Sequence, residues 1–270
     1  MSSQDPSSGS AARPHRRPFG SLRAVTALIL REMATTYGRS PGGYVWAVLE
    51  PAAGITLLSL VFAAAFRTPS LGTSFPMFYA TGMLPFVMFG DVQSKIALSL
   101  MFSKQLLTYP TVTFIDAMLA RFVLNTMTQL MVGYIILAGI MLMFETRVTL
   151  NLPIIVEAYA LSALLALGIG TLNCFLFSHF PVMQRVWSIL MRPMFLISCI
   201  FFLFESLPPK YQGILWYNPL VHVVGLMRRG FYGTYDGTYV SEIYVVSVSL
   251  TCMAVGLVFL RRYHRDILHR

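Results

Sequence analysis

The chain has 270 residues, of which 56% are hydrophobic and only 11% are charged, and its formal net charge is +9. A soluble domain typically carries about 25% charged residues. A chain this apolar cannot hide its side chains in one water-soluble core, so the bilayer is its expected solvent. The basic residues lie between hydrophobic blocks rather than on one polar face, which argues against nucleic-acid binding and for membrane topology.

The N-terminal 40 residues divide into a polar tail and a predicted surface helix. Residues 1–19 are rich in Ser, Pro and Arg. Because no apolar core follows at once, we expect a disordered cytoplasmic tail rather than a cleaved signal peptide. In residues 20–40, helical spacing relates Leu22, Val25, Leu28, Ile29 and Met33. The pattern predicts an amphipathic helix in the inner membrane interface, either a simple anchor or a docking surface for a cytoplasmic partner.

Six apolar blocks are close to the roughly 20 residues that an α-helix needs to cross a bilayer. They predict transmembrane helices at residues 44–66, 77–98, 114–143, 152–178, 186–204 and 241–260. The inner half of the second block is interrupted by Asp91, Gln93 and Lys95. The sequence therefore predicts an all-α, six-helix membrane domain over residues 41–260, followed by a basic cytoplasmic tail at residues 261–270.

The basic residues predict the orientation of these spans. With the N-terminus inside, fifteen of the twenty Lys and Arg residues fall on the cytoplasmic side and five on the outer side. This is the bias of the positive-inside rule. Both termini are therefore predicted to be cytoplasmic.

The stretch 216-WYNPLVHVVGLMRRG-230 lies between the fifth and sixth predicted spans. Its apolar part is too short to cross, and Pro219 removes a backbone donor in its middle. A crossing here would also place the basic C-terminus outside. We expect a re-entrant pair of short helices over about residues 207–235, broken at Asn218 and Pro219. Non-helical backbone at that depth is buried in protein or lines a watery cavity, so the segment borders a pathway or is a plain packing element.

Charged side chains within or beside the spans need a partner or a function, because charge in a membrane is costly. Glu50 lies in the first span. It is either a functional-site candidate or paired with a cytoplasmic cation such as Arg39. Spacing predicts two further pairs, Asp116 with Arg121 and Asp91 with Lys95.

Aromatic residues cluster at both predicted membrane edges. The inner cluster is Tyr37, Tyr44 and Trp46, and the outer cluster is Trp216, Tyr217, Phe231, Tyr232 and Tyr235. Interfacial belts explain such clusters. Alternatively, rings that face a pore form a track on which sugars stack. The candidate translocation path comprises Tyr37, Tyr44, Trp46 and Glu50.

Motifs of nucleotide binding and catalysis are absent from the sequence. It contains no GxxxxGK[ST] phosphate loop, no HExxH zinc helix and no GxSxG nucleophile elbow. The three cysteines lack zinc-ligand spacing, and His179 and His222 fall on opposite predicted sides of the membrane. We expect a non-catalytic chain without a metal site or cofactor of its own.

Four segments together resemble a known family, the permease subunit of capsular-polysaccharide ABC exporters. These are type-2 ABC exporter permeases of Gram-negative bacteria. The segments are 30-LREMATTYGRSPGGYVWAVLEP-51, 108-TYPTVTFIDAMLAR-121, 180-FPVMQRVWSILMRPMFLISCIFF-202 and 207-LPPKYQGILWYNPLVHVV-224. The resemblance extends over about residues 20–260.

The resemblance implies a multi-pass permease of the inner (cytoplasmic) membrane that forms a homodimer and pairs with two copies of a separate cytoplasmic ATPase, which holds the ATP and Mg²⁺. The substrate would be a lipid-linked acidic polysaccharide, passed on through a periplasmic adaptor and an outer-membrane channel. Alternatives are a permease for O-antigen or another glycan and, further off, a drug or lipid efflux permease. The residues it implies for ATPase contact and coupling are Arg31, Glu32, Arg39, Lys104, Gln184 and Arg185. Those of a periplasmic gate are Trp216, Tyr217, Asn218, Pro219, His222, Arg228 and Arg229.

One position departs from the family pattern. Such permeases often carry an acidic residue after the VHVV motif, where this sequence has Gly225. Arg228 and Arg229 are therefore expected to lack a nearby carboxylate. A net-positive gate of this kind would attract the acidic groups of a polymer or the phosphate of its lipid.

Overall fold

In the computed structural model, the residues whose structure is described are 20–36, 42–103 and 113–269. Within these ranges the chain is helical and contains no strand, which confirms the all-α prediction. The helices are α1 (Gly20–Thr36), α2 (Gly43–Ala65), α3 (Phe75–Ala97), α4 (Ser99–Ser103), α5 (Phe114–Met143), α6 (Leu152–His179), α7 (Val182–Ile197), α8 (Pro209–Leu215), α9 (Pro219–Phe231) and α10 (Glu242–His269), with a 3-10 turn at Phe204–Ser206. The predicted tail at residues 1–19 lies outside the described residues.

Among the described residues, four helices are long and apolar enough to cross a membrane. They are α2, α5, α6 and the Glu242–Tyr263 part of α10, which correspond to the first, third, fourth and sixth predicted spans. Helix α3 matches the second predicted span in position and has 23 residues, but Asp91 and Lys95 dilute its apolar character. Helix α7 has 16 residues and ends at Ile197, short of the predicted limit at residue 204.

Helix α3 is largely enclosed by neighbouring helices, which gives its polar residues protein partners. Most of its residues from Met77 to Ala97 are buried. Its polar groups find partners on neighbouring helices, since Gln93 accepts a hydrogen bond from Asn173 at 3.1 Å. Asp91 accepts one from Gln129 on α5. The predicted Asp91–Lys95 pair is absent from the ion pairs of the described residues.

Helix α6 is the centre of the bundle, and it packs against α3, α9 and α10. Small residues permit these close contacts, as is usual between membrane helices. A Cβ atom at Gly168 would collide with the Ser249 carbonyl of α10, and one at Gly256 would lie 2.7 Å from the Leu172 nitrogen. The two helices therefore approach through glycines on both sides.

Candidate functional site

Helices α8 and α9 form the segment that the sequence analysis predicted to be broken at Asn218 and Pro219, and the break is present. Asn218 caps α9, because its Oδ1 accepts from the Leu220 N–H at 3.1 Å and its amide donates to Ser198 Oγ at 3.1 Å. Pro219 occupies the first helical position, where the missing N–H costs nothing. Nearly all of α9 is buried, against α3, α6 and α10.

His222 joins this segment to the start of α10. Its Nδ1 accepts from the Ser241 N–H at 3.1 Å, so Nε2 carries the proton and donates to the Trp216 carbonyl at 2.8 Å. The imidazole is therefore neutral. Trp216 stands edge-on to the ring and donates from Nε1 to the Tyr239 carbonyl at 3.1 Å. Tyr217 beside it is exposed.

Arg228 is fully buried and holds the turn that follows α7. Its guanidinium donates to the carbonyls of Phe202 at 3.0 Å and Ile200 at 2.9 Å, and lies 4.3 Å from the centre of the Phe78 ring. In that turn Cys199 has a φ of 58°, a left-handed conformation that costs free energy in a residue other than glycine. Arg228 thus acts as a clamp on backbone atoms. It is not a cation that faces a pathway.

Arg229 has the carboxylate partner that the sequence analysis did not find. Its Nη1 lies 3.8 Å from Oε1 of Glu242 in the first turn of α10, and about a third of each side chain is exposed. The expectation that both arginines lack a nearby carboxylate is therefore wrong for Arg229. For Arg228, the described residues provide carbonyl oxygens and an aromatic ring instead of a carboxylate.

The presence of glycine at position 225 has a steric explanation, which is visible only in the folded chain. A Cβ atom here would collide with the Tyr239 hydroxyl and lie 2.9 Å from the ring carbon that carries it. An acidic side chain at this position would therefore displace Tyr239, whose ring stacks on Phe204 at 4.1 Å between centroids. The glycine allows the segment before α10 to lie directly on α9.

Near the start of α5, Glu32 and Arg121 connect α1 to α5. Arg121 Nε lies 3.1 Å from Glu32 Oε2, its Nη1 donates to the Lys95 carbonyl at 3.0 Å, and both side chains are largely buried. The predicted Asp116–Arg121 pair is wrong, since Asp116 forms a capping box with Thr113 at the start of α5. Glu32, which the resemblance implies for ATPase contact, pairs with Arg121 of α5 in the structure.

The other predicted coupling residues fall in two groups. Arg31, Gln184 and Arg185 have exposed side chains, the last two in the first turn of α7. Arg39 and Lys104 lie outside the described residues, as does Tyr37 of the candidate path, so the alternative Glu50–Arg39 pair also falls outside them.

Two residues of the candidate translocation path line one cavity. Trp46 and Glu50 of α2 line a space of about 330 Å³ together with Asp91, Lys95 and Gln129 of α3 and α5. Tyr44, one turn away on α2, is exposed and outside its lining. The sequence analysis missed Gln129 because a glutamine in an apolar run carries no local signal of the helix it faces.

No group of three or more His, Cys, Asp or Glu side chains that could hold a metal ion occurs among the described residues. Cys174 and Cys199 are buried and free, and Cys252 is partly buried.

The chain is similar to known transport proteins. The profile of the ABC-2 type transporter family matches residues 23–232. The chain is 33% identical to the polysialic acid transport protein KpsM of Escherichia coli over 237 residues, which covers 88% of this chain and 92% of that protein. It is 26% identical to the capsule polysaccharide export inner-membrane protein CtrC of Neisseria meningitidis, with 91% and 92% covered. It is 21% identical to the O-antigen export system permease protein RfbA of Klebsiella pneumoniae, with 84% and 87% covered.

Proposed function

The chain belongs to the ABC-2 type transporter family, and we propose that it is the membrane permease of an exporter that carries lipid-linked capsular polysaccharide across the bacterial inner membrane to the periplasm. The observation that carries this proposal is the 33% identity to a polysialic acid transport protein over 88% of the chain. The permease is not itself an enzyme. ATP hydrolysis belongs to a separate ABC ATPase subunit, in keeping with the absence of a phosphate loop from the sequence.

The proposed topology has six spans, with α3 and α7 added to the four helices that meet the length and apolarity of a span. Both termini are then cytoplasmic, as the distribution of basic residues favours. Helices α8 and α9 return to the periplasmic side as re-entrant gate helices. The buried position of α9 supports this arrangement, since irregular backbone at membrane depth needs protein around it.

We further propose that two copies of the chain form a homodimer around a central pathway. Helix α7 has no buried residue, and its apolar side chains include Ile189 and Leu196. Most of α2 is exposed as well, at positions such as Leu57 and Val61. The pathway opens between these first and fifth spans, where Trp46 and Glu50 are candidates to meet the polymer.

Coupling to the ATPase uses the cytoplasmic ends of α1 and α7. ATP-driven closure of two ATPase subunits presses on Arg31 of α1 and on Gln184 and Arg185 of α7, whose side chains are exposed. Glu32 transmits the movement of α1 to α5 through Arg121. The gate helices then prevent return of the polymer, which continues through a periplasmic adaptor and an outer-membrane channel.

Deletion of the gene tests the function. We expect surface capsule to disappear and lipid-linked acidic glycan to accumulate in the cytoplasm, as measured by extraction and sugar analysis, with recovery when the gene is supplied on a plasmid. Retention of normal capsule without intracellular glycan would contradict the proposal.

The 21% identity to an O-antigen export permease favours one second candidate. In that case the deletion would remove O-antigen from the cell surface and leave capsule unchanged. Sugar analysis of the retained glycan distinguishes the two.

A further inference from the structure

Two cavities adjoin at the end of the bundle where α2 and α5 finish and α3 begins. One is an apolar groove of about 720 Å³ between α2 and α5, closed at one end by the first residues of α3. The other is a more polar cavity of about 750 Å³. They share Thr73, Met143, Phe144 and Glu145, so the groove continues directly into the polar cavity.

The groove has the dimensions and lining of a lipid-tail site. Its lining on α2 runs from Val48 to Ala63, which is about 22 Å at 1.5 Å per residue. The hydrocarbon core of a bilayer is about 30 Å thick, so the groove follows much of that depth. Its α5 wall includes Ile135, Gly139 and Ile140.

The polar end has the chemistry of a headgroup site. Glu145 and Arg147 both line the polar cavity and are exposed, and neither takes part in an ion pair between described residues. Ser74 lies where the groove meets this end. Only 8% of the residue is exposed, and its hydroxyl has no hydrogen-bond partner among the described residues. A buried hydroxyl without a partner is costly, and a ligand oxygen would satisfy it.

We propose that the two cavities form one binding site for a zwitterionic aminophospholipid of the outer leaflet. An acyl chain occupies the groove between α2 and α5. Arg147 binds the phosphate through charge-assisted hydrogen bonds, Glu145 accepts from the primary ammonium group, and Ser74 donates to an ester carbonyl. The assignment to the outer leaflet rests on the proposed topology, whereas the site itself does not depend on it.

The charge at the rim favours a bulk phospholipid over the lipid anchor of an acidic glycan. A carboxylate at position 145 repels a polymer of acidic sugars and attracts an ammonium group. Glu145 and Arg147 carry opposite charges two residues apart, which matches a headgroup with both a phosphate and an ammonium group.

Photolabelling in vesicles tests the site without any glycolipid. The chain is reconstituted in vesicles that contain phosphatidylethanolamine with a diazirine on one acyl chain, or phosphatidylglycerol with the same label, and adducts are mapped by mass spectrometry. We expect adducts on the groove walls of α2 and α5, with higher yield from phosphatidylethanolamine. Equal yields from the two lipids, or adducts that form only after a lipid-linked glycan is added, would overturn the proposal.

Glycine substitutions provide a matched pair of variants. Gly139 lines the groove, and a Cβ atom there meets open space, so Gly139→Leu should occupy part of the groove and lower the adduct yield several-fold. Gly90→Leu on α3 places the same side chain in open space outside the groove and should keep the wild-type yield. Equal yields from the two variants would overturn the groove assignment.

The exposed Arg147→Gln variant tests the headgroup. Loss of a charge-assisted hydrogen bond of about 1.5–3 kcal/mol should lower labelling by phosphatidylethanolamine about tenfold or more. Unchanged labelling would overturn the headgroup assignment. Because this assay requires no transport, its failure would leave the proposed export function untouched.

Discussion

Two arginines are buried at opposite ends of the bundle, and their charges are compensated by different groups. Arg121, near the start of α5, meets the Glu32 carboxylate at 3.1 Å. Arg228, in α9, donates to the carbonyls of Ile200 and Phe202 and lies over the ring of Phe78. One cation joins two helices through side chains, and the other holds backbone atoms in a turn.

The two arginines therefore have different structural roles. Arg121 connects two helices, whereas Arg228 clamps the backbone of a turn. A side-chain pair between α1 and α5 can weaken while each helix keeps its own hydrogen bonds. Removal of a clamp leaves buried carbonyl groups without donors in a turn that contains Cys199 at a φ of 58°. We therefore expect substitutions around Arg228 to act mainly on stability, and those around Arg121 to act on the attachment of α1.

The largest expected effect is that of Arg228→Met. Two buried carbonyls lose their donors, at about 1–3 kcal/mol each. The midpoint of thermal unfolding in detergent should therefore fall clearly below that of the wild type. Arg228→Lys is the control, because an ammonium group keeps the charge but lacks the planar fork that reaches two carbonyls. It should fall in between, and wild-type unfolding of Arg228→Met would show that Arg228 is not a clamp.

The next effect is that of Gly225→Ala. The new Cβ atom meets the ring of Tyr239, and overpacking of this kind costs about 1–3 kcal/mol. Gly213→Ala in α8 is the matched control, because a Cβ atom there meets open space and alanine favours a helix by about 1 kcal/mol. The thermal midpoint should fall for the first variant and not for the second. Adding Tyr239→Phe to Gly225→Ala should restore part of the loss, since the hydroxyl is the nearest atom.

In the pair that joins α1 to α5, Glu32→Gln should cost about 1–2 kcal/mol, less than the 3–5 kcal/mol of a completely buried pair, because both side chains keep some solvent contact. A double-mutant cycle with Arg121→Gln isolates the pair from the bond between Arg121 and the Lys95 carbonyl. Thermal midpoints of the four proteins provide the coupling free energy. Strictly additive effects would mean that the pair does not hold α1 on α5.

The sequence predicts those parts of the fold that depend on local composition. The blocks at residues 114–143 and 152–178 match α5 and α6 almost residue for residue, since long apolar runs need only length and hydropathy. The fifth predicted span runs past Ile197, where α7 ends. Hydropathy continues through that point, whereas the turn at Cys199 depends on hydrogen bonds from Arg228 on another helix.

The same distinction between local chemistry and contacts between distant residues applies to the candidate functional site. The break at Asn218 and Pro219 was predictable because capping and the missing proline donor are local chemistry. Local spacing favoured an Asp116–Arg121 pair, but the partner of Arg121 is Glu32, 89 residues away. These two side chains come together only in the folded chain, so local spacing could not predict the pair.

The smallest expected effect on stability is that of Arg229→Gln. The pair with Glu242 is long, at 3.8 Å, and about a third exposed, so its loss should change the free energy of unfolding by less than about 1 kcal/mol. If Arg229 attracts an acidic polymer at the gate, surface polysaccharide should nevertheless decrease in this variant. Glu242→Gln breaks the same pair but keeps the cation, so it should leave export at or above the wild-type amount. A similar loss of export in both variants would assign Arg229 to the ion pair, and unchanged export in both would remove it from the gate.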